Sequence, residues 1–378
     1  MLNRRDFVRT LGIGGAGILS GTMVAARGRE AFNAAGLDWI PYQGGSIRLS
    51  SNENPNGPCQ AALGAIRDAL SEANRYPGGS SSALQSAIAA HIGVPTNNIL
   101  LGCGSGEILR MATRAMTGPG RALVTASPTF EDPEGHAAAA KAEVRSIPVK
   151  ADLSLDLDAM ASAGAGAGLF FVCNPNNPTG TLLGGDAIAA FVASARKAAP
   201  DAMILIDEAY HEYVEDPSYR SAVSLIAQPN VLVSRTFSKV YGMAGLRAGY
   251  AIGSPETLAR LRGERLGNNV NVLAASAAIA ALRDPDVAVR ERTLNRDARE
   301  YTRTELERIG YPSIPSHANF IMVDVKQETR AFAQACRAQG IMVGRPFPPL
   351  TRHSRISIGT MDEMTRAVAV FKRVLTAA

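Results

Sequence analysis

The sequence has little cysteine, histidine and tryptophan: its 378 residues include four cysteines, five histidines and one tryptophan. The cysteines, at positions 59, 103, 173 and 336, show neither metal-site nor redox spacing, and we interpret them as small buried hydrophobic residues. The histidines are too widely dispersed to form a metal site. The sequence therefore predicts no bound metal.

A strong excess of charge of one sign is also lacking. The net charge of +5 is small for this length and the basic residues are scattered, which argues against nucleic acid as a partner. No internal repeat or low-complexity linker is present. What remains is a chain with 46% hydrophobic residues, 36 glycines and 21 prolines, a composition that fits a two-domain α/β enzyme with many turns.

The apolar run near the N-terminus is too short to span a bilayer comfortably, and glycines interrupt it at residues 11–20. A basic head precedes the run and small residues follow it, as in an export signal, and the Arg4-Arg5 pair with Phe7 resembles the twin-arginine class. We therefore predict that residues 1–29 direct export to the periplasm, with a cytoplasmic location as the alternative if the signal is not used. Contact with a membrane is expected only through this segment.

Strand, helix and loop alternate through the middle of the chain, which predicts a mostly parallel sheet covered by helices on both faces. We assign residues 58–265 to this large domain. Residues 30–57 end in a run of turn formers and are predicted to be an extended N-terminal arm. Long amphipathic helices follow from about residue 258, and strands return after residue 319. Residues 266–378 are therefore predicted to form an interdomain helix and a smaller α+β domain.

Two helices at the start of the large domain are predicted over residues 59–72 and 82–91. Between them, Arg75-Tyr-Pro-Gly-Gly79 predicts a break, because proline and glycine both disfavour helix. Tyr76 is therefore expected on a loop.

Lys239 is the centre of the strongest candidate site. It follows a run of apolar and β-branched residues at 231–235 that predicts a buried strand, and Thr236 and Ser238 place hydroxyls at the end of that strand. Strand ends are where open α/β sheets bind ligands, and a partly desolvated lysine there has a lowered pKa and an amine free to form a Schiff base with a carbonyl cofactor. Arg247, eight residues further on, can return its guanidinium to a phosphate beside that lysine.

A glycine turn made by Gly104, Ser105 and Gly106 runs directly into a predicted helix. The free backbone N–H groups and the dipole at such a helix start can bind a phosphate, although a plain helix cap fits these residues equally well. Phe130 lies at the turn after the next strand, where it either stacks on a flat ring or packs in the core.

Two further strands end in polar side chains. A rigid loop rich in asparagine and proline follows residue 173 and fixes Asn177 at a strand end. Asp207 ends the strongly apolar strand that begins at Met203, where a carboxylate is costly to bury without a cationic partner. Asp207 is therefore the strongest candidate residue after Lys239.

Together these motifs resemble the fold type I pyridoxal-phosphate aminotransferases of class I/II, and within them the histidinol-phosphate aminotransferase branch. The resemblance covers about residues 40–376 and implies an α/β fold, a large domain with a mostly parallel sheet and a smaller C-terminal α+β domain. The similar segments are Ser51-Asn-Glu-Asn-Pro-Asn-Gly-Pro58, Arg75-Tyr-Pro77, Asn174-Pro-Asn-Asn-Pro-Thr-Gly180, Asp207-Glu-Ala-Tyr210, Lys239, Arg247 and Arg355-Ile-Ser-Ile-Gly-Thr360.

The resemblance implies a role for each matching residue around pyridoxal 5′-phosphate. Lys239 would hold the cofactor as a Schiff base and then carry protons, and Asp207 would pair with the nitrogen of the ring. Tyr210 and Asn177 would bond the phenolic oxygen of the ring, and Phe130 would stack on its face. The phosphate would be held by Arg247, Thr236, Ser238 and the turn of Gly104, Ser105 and Gly106.

The resemblance also implies which partners the protein has. Tyr76 would reach the cofactor of a neighbouring subunit, which implies a homodimer with shared active sites. Arg355 would bind the α-carboxylate of an amino acid donor, and Arg345 is a second predicted substrate contact or, equally, a surface residue. The substrates would be a small amino acid and a keto acid.

Two observations leave the substrate open: residues 346–354 are rich in proline, and an export signal is unusual for a biosynthetic enzyme of the cytoplasm. Two other functions also remain as alternatives. One is a decarboxylase or lyase with the same cofactor and fold, similar to the threonine-phosphate decarboxylases. The other is a catalytically silent protein that binds the cofactor, although this alternative predicts loss of Lys239 or Asp207 and both are present.

Overall fold

A computed structural model describes residues 45–376 of the chain. The predicted export signal, residues 1–29, and residues 30–44 of the predicted arm lie outside the described residues. The domain boundaries predicted at residues 58 and 266 stay predictions. In the described part of the chain, no helix has both the length and the hydrophobicity needed to cross a membrane.

The strands form one large sheet and two small ones. They are β1 (Ile47–Leu49), β2 (Ile99–Gly102), β3 (Ala122–Ser127), β4 (Val144–Pro148), β5 (Ala167–Cys173), β6 (Met203–Asp207), β7 (Val231–Thr236), β8 (Gly249–Gly253), β9 (Phe320–Asp324), β10 (Ile341–Val343) and β11 (His353–Ser357). The large sheet has seven strands in the order β2-β8-β7-β6-β5-β3-β4, and only β8 runs against the others. This confirms the predicted mostly parallel sheet.

Helices cover both faces of this sheet, except that the last three in chain order belong mainly to the C-terminal region. The helices are α1 (Gln60–Ala69), α2 (Gly78–Ile92), α3 (Ser105–Met116), α4 (Asp132–Ala139), α5 (Leu157–Ser162), α6 (Gly185–Ala198), α7 (Pro255–Ala259), α8 (Val272–Arg283), α9 (Val287–Glu307), α10 (Thr329–Ala338) and α11 (Met361–Thr376). Successive side chains of a strand point to opposite faces, so Phe170 and Phe171 of β5 belong to two different hydrophobic clusters and both are fully buried. Burial of each such side chain contributes roughly 1.5–3 kcal/mol.

A second region of α+β structure follows the large sheet, as the sequence predicted. Strands β9 and β11 pair antiparallel, and β1, from the predicted arm, pairs parallel with β10. Helices α9, α10 and α11 supply much of its hydrophobic cluster, in which Phe332 and Phe371 are fully buried. The pairing of β1 with β10 therefore holds the chain just before the Ser51–Pro58 segment against the C-terminal region.

Two predicted helix boundaries are wrong. Helix α2 begins at Gly78 rather than residue 82. Gly78 and Gly79 lie in its first turn, where Ser80 Oγ donates to the carbonyl of Pro77 at 2.9 Å. The glycine penalty applies to helix interiors, so it does not stop the helix here. The helix predicted over residues 59–72 is α-helical only from Gln60 to Ala69 and then tightens into a 3₁₀ turn.

Candidate active site

The carboxyl ends of the parallel strands meet at a cavity of about 350 Å³. Parallel register brings this about: Cys173, the last residue of β5, is level with Asp207, the last residue of β6, and Asp207 is level with Ser234 of β7. The predicted site residues that line the cavity are Ser105, Gly106, Phe130, Asn177, Asp207, Tyr210, Thr236, Ser238, Lys239, Arg247 and Arg355. The structure thus brings together most of the residues predicted from separate motifs.

Lys239 lies in the turn after β7, partly buried, with its amine directed into the cavity wall. Its Nζ donates to the backbone carbonyl of Asn52 at 3.1 Å and lies 5.4 Å from the centre of the Tyr210 ring. Burial, followed by the nearby positive charge of Arg355, lowers the pKa of Lys239 to about 8. A substantial share of the amine is therefore neutral, and nucleophilic, near physiological pH.

Asp207 is the acidic group at the base of the cavity and is only 3% exposed. Its Oδ1 accepts a hydrogen bond from Ser234 Oγ at 2.7 Å, and Cys173 Sγ lies 4.0 Å from its Oδ2. Burial raises the pKa of Asp207 to about 6. Within residues 45–376 no side chain forms an ion pair with this carboxylate, and the cationic partner predicted for it, the ring nitrogen of the cofactor, stays a prediction.

An anion cradle lies at the opposite side of the cavity, at the start of α3. Gly104 precedes this helix with φ 74° and Ser105 begins it, so the first backbone N–H groups of α3 have no partner within the helix. Arg247 packs so closely on this turn that a Cβ at Gly104 would lie 2.2 Å from Arg247 Nη2. The positive φ favours glycine here, and a larger residue would also have to displace the guanidinium of Arg247 from the turn.

Hydroxyl groups complete the cradle. Thr236 Oγ1 donates to Ser238 Oγ at 2.9 Å, and Arg247 Nη1 donates to the same Ser238 oxygen at 3.3 Å and to the carbonyl of Ala244 at 3.0 Å. No carboxylate of the described residues forms an ion pair with Arg247. The group of a guanidinium, hydroxyls and free amides is the donor set that binds phosphate in proteins.

Arg355, in β11, brings a buried cation to the same cavity from the C-terminal region. It is 8% exposed, and its Nη1 and Nη2 donate to Asn177 Oδ1 at 2.6 Å and to the carbonyl of Ser50 at 2.8 Å. Its Nε is buried without a partner. Burial lowers the pKa of Arg355 to about 10, so the guanidinium stays charged at neutral pH. Because the Asn177 oxygen is occupied by this arginine, only its Nδ2 is left to donate to a ligand.

Tyr210 and Phe130 form aromatic walls of the cavity. Tyr210 is buried, its hydroxyl accepts from Asn52 Nδ2 at 3.0 Å, and its ring packs edge-on against Phe320 at 5.3 Å. Burial raises the pKa of Tyr210, so its hydroxyl keeps its proton and can donate to a ligand. Phe130 lines the cavity while it packs against a hydrophobic cluster, and its stacking on a cofactor ring stays a prediction.

Three predicted site residues do not line the cavity of this single chain, and one of them, Gly104, lies just outside its lining, next to Ser105. The other two lie further from it. Tyr76 is on a loop, as predicted, and is 87% exposed. Arg345 is on the exposed loop after β10, where it pairs with Glu131. Both predicted roles therefore stay predictions.

Sequence reasoning missed several residues that contribute to the cavity. Asn52 is the most connected of them: it is 1% exposed with φ 54°, and it binds Ser357, Tyr210, Lys239 and Asn319. Its motif signalled a turn, but its partners lie 158 or more positions away. Others in the cavity wall are Ser51, Glu53, Asp132 and Cys173.

The cysteine prediction is correct only in part. Cys173 and Cys336 are buried and Cys59 is partly buried, but Cys103 is exposed. Cys103 lies on the tight turn before Gly104, where its backbone N–H donates to Glu107 at 2.6 Å, and this turn directs the side chain outward. No cluster of three or more potential metal-binding side chains occurs within residues 45–376.

A larger cavity of about 480 Å³ lies elsewhere, beside α9. Three arginines and three carboxylates line it, and they neutralise one another: Glu300 pairs with Arg303 at 2.9 Å and Glu215 with Arg296 at 3.2 Å. None of the predicted site residues lines this cavity, so the smaller one is the candidate active site.

Comparison with known proteins agrees with this geometry. The family model "Aminotransferase class I and II" matches residues 45–371. The chain is 39% identical to histidinol-phosphate aminotransferase 2 of Ralstonia nicotianae, over 88% of this chain and 89% of that protein. It is 36% identical to histidinol-phosphate aminotransferase of Moorella thermoacetica, over 87% and 85%.

A solved structure gives the same result for the fold. The histidinol-phosphate aminotransferase of Sinorhizobium meliloti, in complex with pyridoxal 5′-phosphate, superposes with a TM-score of 0.82 at 28% identity and covers 92% of this chain and 94% of its own. The chain therefore belongs to the class I and II aminotransferases, and it is a transaminase that depends on pyridoxal 5′-phosphate.

Proposed function

We propose that this transaminase takes its amino group from an α-amino acid whose carboxylate is bound by Arg355, and that histidinol phosphate and its oxo form are the second substrate pair. The observation that carries the proposal is the state of Arg355: a buried guanidinium in the cavity of Lys239, with a free Nε and no carboxylate partner among the described residues. A buried cation of this kind calls for an anionic ligand. The second pair is supported by the similarity of the chain to histidinol-phosphate aminotransferases.

The residues of the cavity fit pyridoxal 5′-phosphate. The cradle at Gly104 and Arg247 suits a phosphate, the buried Asp207 suits a protonated ring nitrogen, and the Lys239 amine suits an aldehyde. When bound, the cofactor supplies an electrophilic carbonyl carbon and a ring that accepts the electron pair released at the α-carbon of the substrate.

Lys239 has two tasks in the proposed reaction. As a neutral amine it would hold the aldehyde of the cofactor, and as a base and then an acid it would carry the α-proton of the substrate. Its pKa of about 8 suits both tasks, because the best proton carrier has a pKa near the working pH. Asp207 would pair with the ring nitrogen and keep it protonated.

Arg355 orients the donor. Two parallel N–H groups of a guanidinium match the two oxygens of a carboxylate, and Asn177 and the Ser50 carbonyl hold the guanidinium plane in place. The α-carbon would thereby be held near Lys239, and Tyr210 would donate a hydrogen bond from its hydroxyl to the phenolic oxygen of the ring.

We also propose a homodimer with shared sites. Tyr76, Leu70 and Leu266 expose large apolar surfaces, at 87%, 56% and 61%, as at an interface between subunits. Sedimentation should show a dimer, and mixing inactive Lys239→Ala subunits with impaired Tyr76→Ala subunits should restore activity that neither variant has alone. A monomer in sedimentation, or mixing without recovery, would contradict this proposal.

Export through residues 1–29 is a further proposal, supported by Arg4, Arg5 and Phe7. Cells that express the full chain should carry the protein in the periplasmic fraction, and a variant with Lys at both arginine positions should stay in the cytoplasm. If both proteins stay in the cytoplasm, the cytoplasmic alternative is correct.

The function is tested by the absorbance spectrum of the purified, cofactor-loaded protein. Amino donors, including glutamate and histidinol phosphate, are added one at a time without any keto acid. Conversion of the bound cofactor to its amine form, reversed by a keto acid, supports transamination and names one substrate. Release of carbon dioxide from a donor, without that conversion, would instead support the decarboxylase alternative.

A further inference from the structure

An exposed ion pair lies next to residues that line the cavity. Arg345, on the loop after β10, pairs with Glu131, the residue before α4, although 214 positions separate them in the chain. The neighbours of Glu131, Phe130 and Asp132, both line the cavity. About half of each paired side chain is exposed, so the pair lies at the solvent end of the site rather than in its interior.

Phe347 connects this ion pair to the buried Arg355. The guanidinium carbon of Arg345 lies 4.3 Å from the centre of the Phe347 ring, and that of Arg355 lies 4.6 Å from the same ring. The ring is itself buried, with 4% exposure. The two guanidiniums are therefore separated by no more than the sum of these distances. Arg355 is the inner cation of the site and Arg345 is the outer one.

A ligand with anionic groups at both ends would thus meet two cations in sequence. Arg355 has no carboxylate partner in the described residues, whereas Arg345 already has Glu131. An exposed ion pair of this kind is weak, and its loss changes an equilibrium by about twofold to fivefold. A second anionic group of the ligand therefore has to displace Glu131 from Arg345, and this displacement lowers the affinity of the ligand by a small but measurable factor.

We propose that Glu131 determines specificity: it competes with the distal anionic group of the substrate for Arg345 and lowers the preference of the site for dianionic over monoanionic substrates. The inference rests on the proposed function, in which Arg355 binds the first carboxylate. Glu131 lies in none of the segments that resemble the family. The same competition accounts for how one cavity accepts both substrates with a distal anionic group and substrates without one. When no distal anion is bound, Glu131 neutralises the charge of Arg345.

The test is a binding measurement that requires no turnover. Glutarate, a dicarboxylate, and glutaramate, in which one carboxylate is replaced by a neutral amide of the same shape, are titrated into the cofactor-loaded protein by calorimetry at fixed pH and low ionic strength. The variants are Glu131→Gln, Arg345→Gln and the double variant. Glu134→Gln is the matched control, because it removes a carboxylate three residues further on, in α4, that accepts from Ser146 Oγ and does not pair with Arg345.

Glu131→Gln should tighten glutarate binding about twofold to fivefold and leave glutaramate unchanged. Arg345→Gln should weaken glutarate, and in that background Glu131→Gln should have little further effect. An unchanged ratio of glutarate to glutaramate affinity in Glu131→Gln would overturn the inference. The inference would also be overturned if Glu131→Gln tightened glutarate binding equally with and without Arg345, since that result means direct repulsion by Glu131. An equal gain in glutarate affinity in the Glu134→Gln control would overturn it as well.

Failure of the proposed function gives a different pattern. If Arg355 does not bind the first carboxylate, Arg355→Lys leaves both ligands as tight as in the wild type. If only the inference fails, Arg355→Lys weakens both ligands and the Glu131 variants leave their ratio unchanged.

Discussion

The Lys239 amine donates to the backbone carbonyl oxygen of Asn52, a residue 187 positions earlier in the chain. The side chain of Asn52 holds Tyr210 from one side and accepts from Ser357 Oγ on the other, at 3.0 and 2.9 Å. One residue of the N-terminal segment thus orders groups from the turn after β7, from the turn after β6 and from β11. The active site is complete only when this segment is in place.

Replacement of Asn52 should separate two contributions, its hydrogen bonds and its backbone conformation. Its φ of 54° is costly for alanine, by about 1–2 kcal/mol, but not for glycine. Asn52→Ala should therefore lower the free energy of unfolding by about 1 kcal/mol more than Asn52→Gly, as measured by urea denaturation of cofactor-free protein. Equal stabilities of the two variants would show that the backbone is not strained at this position.

The difference between Lys239 and Asn52 shows what the sequence could predict. Lys239, Asp207 and Asn177 follow directly on apolar runs, and a strand end is a local feature with a known relation to ligands in α/β sheets. Asn52 follows no strand with such a signal, and its partners are set by how distant segments pack. Local patterns therefore predicted the parts of the site that lie on the sheet and missed the part that the arm contributes.

The same limit explains the fold-level errors. The alternation of strands and helices predicted a mostly parallel sheet covered by helices, because hydrophobic periodicity is local. It did not predict that β1 would pair with β10, nor that Glu208 and Arg235 would form a buried ion pair at 2.9 Å beside the site. Such contacts depend on register between elements, which no single segment encodes.

The lowered pKa of Lys239 predicts how fast the cofactor-free protein takes up pyridoxal phosphate at different pH. Only the neutral amine reacts, so the loading rate should rise with pH and level off above a midpoint near 8. Stopped-flow absorbance from pH 6 to 9 measures this rate. A free alkylamine measured in parallel corrects for titration of the cofactor itself, and it should show no plateau in this range because its own pKa is about that of an ordinary lysine, ~10.4.

Arg355 should contribute to that midpoint, because its positive charge disfavours a second cation nearby. Arg355→Met should raise the midpoint of loading, whereas Arg355→Lys, which keeps the charge, should raise it less. A midpoint that is the same in all three proteins would mean that burial alone lowers the pKa of Lys239.

The anion cradle is tested by a matched pair of glycine variants. A Cβ at Gly104 would collide with Arg247, while a Cβ at Gly106 would meet only Asp132 Oδ2, at an ordinary 3.8 Å. Gly104→Ala should weaken pyridoxal phosphate binding roughly tenfold or more, the size of a lost bond to a charged group, and Gly106→Ala should lose less. Pyridoxal, which lacks the phosphate, separates a local effect from general destabilisation: if Gly104→Ala weakens both ligands equally, the cradle is not the phosphate site.

Replacement of Asp207 by Asn should have opposite effects on activity and on stability. Asp207→Asn cannot hold a proton on the ring nitrogen by charge, so turnover should fall about 10²–10³-fold, as when one preorganised electrostatic partner is removed. In the cofactor-free protein the buried carboxylate is a cost, because its folded pKa of about 6 lies above the value of 3.8 that it has when exposed. The folded state therefore binds its proton more readily than the unfolded state does, and the cost is present above pH 6 and disappears as the pH falls toward 4.

Cofactor-free Asp207→Asn should accordingly be more stable than the wild type at pH 7, by about 1–3 kcal/mol, with the advantage lost near pH 4. The amide oxygen can still accept from Ser234 Oγ, so the main bond to this side chain is kept. Urea denaturation of both proteins at pH 4, 6 and 7.5 measures the difference. If the variant is less stable at every pH, the surroundings stabilise the carboxylate in the cofactor-free protein. Asp207 then contributes to the stability of the fold as well as to the reaction.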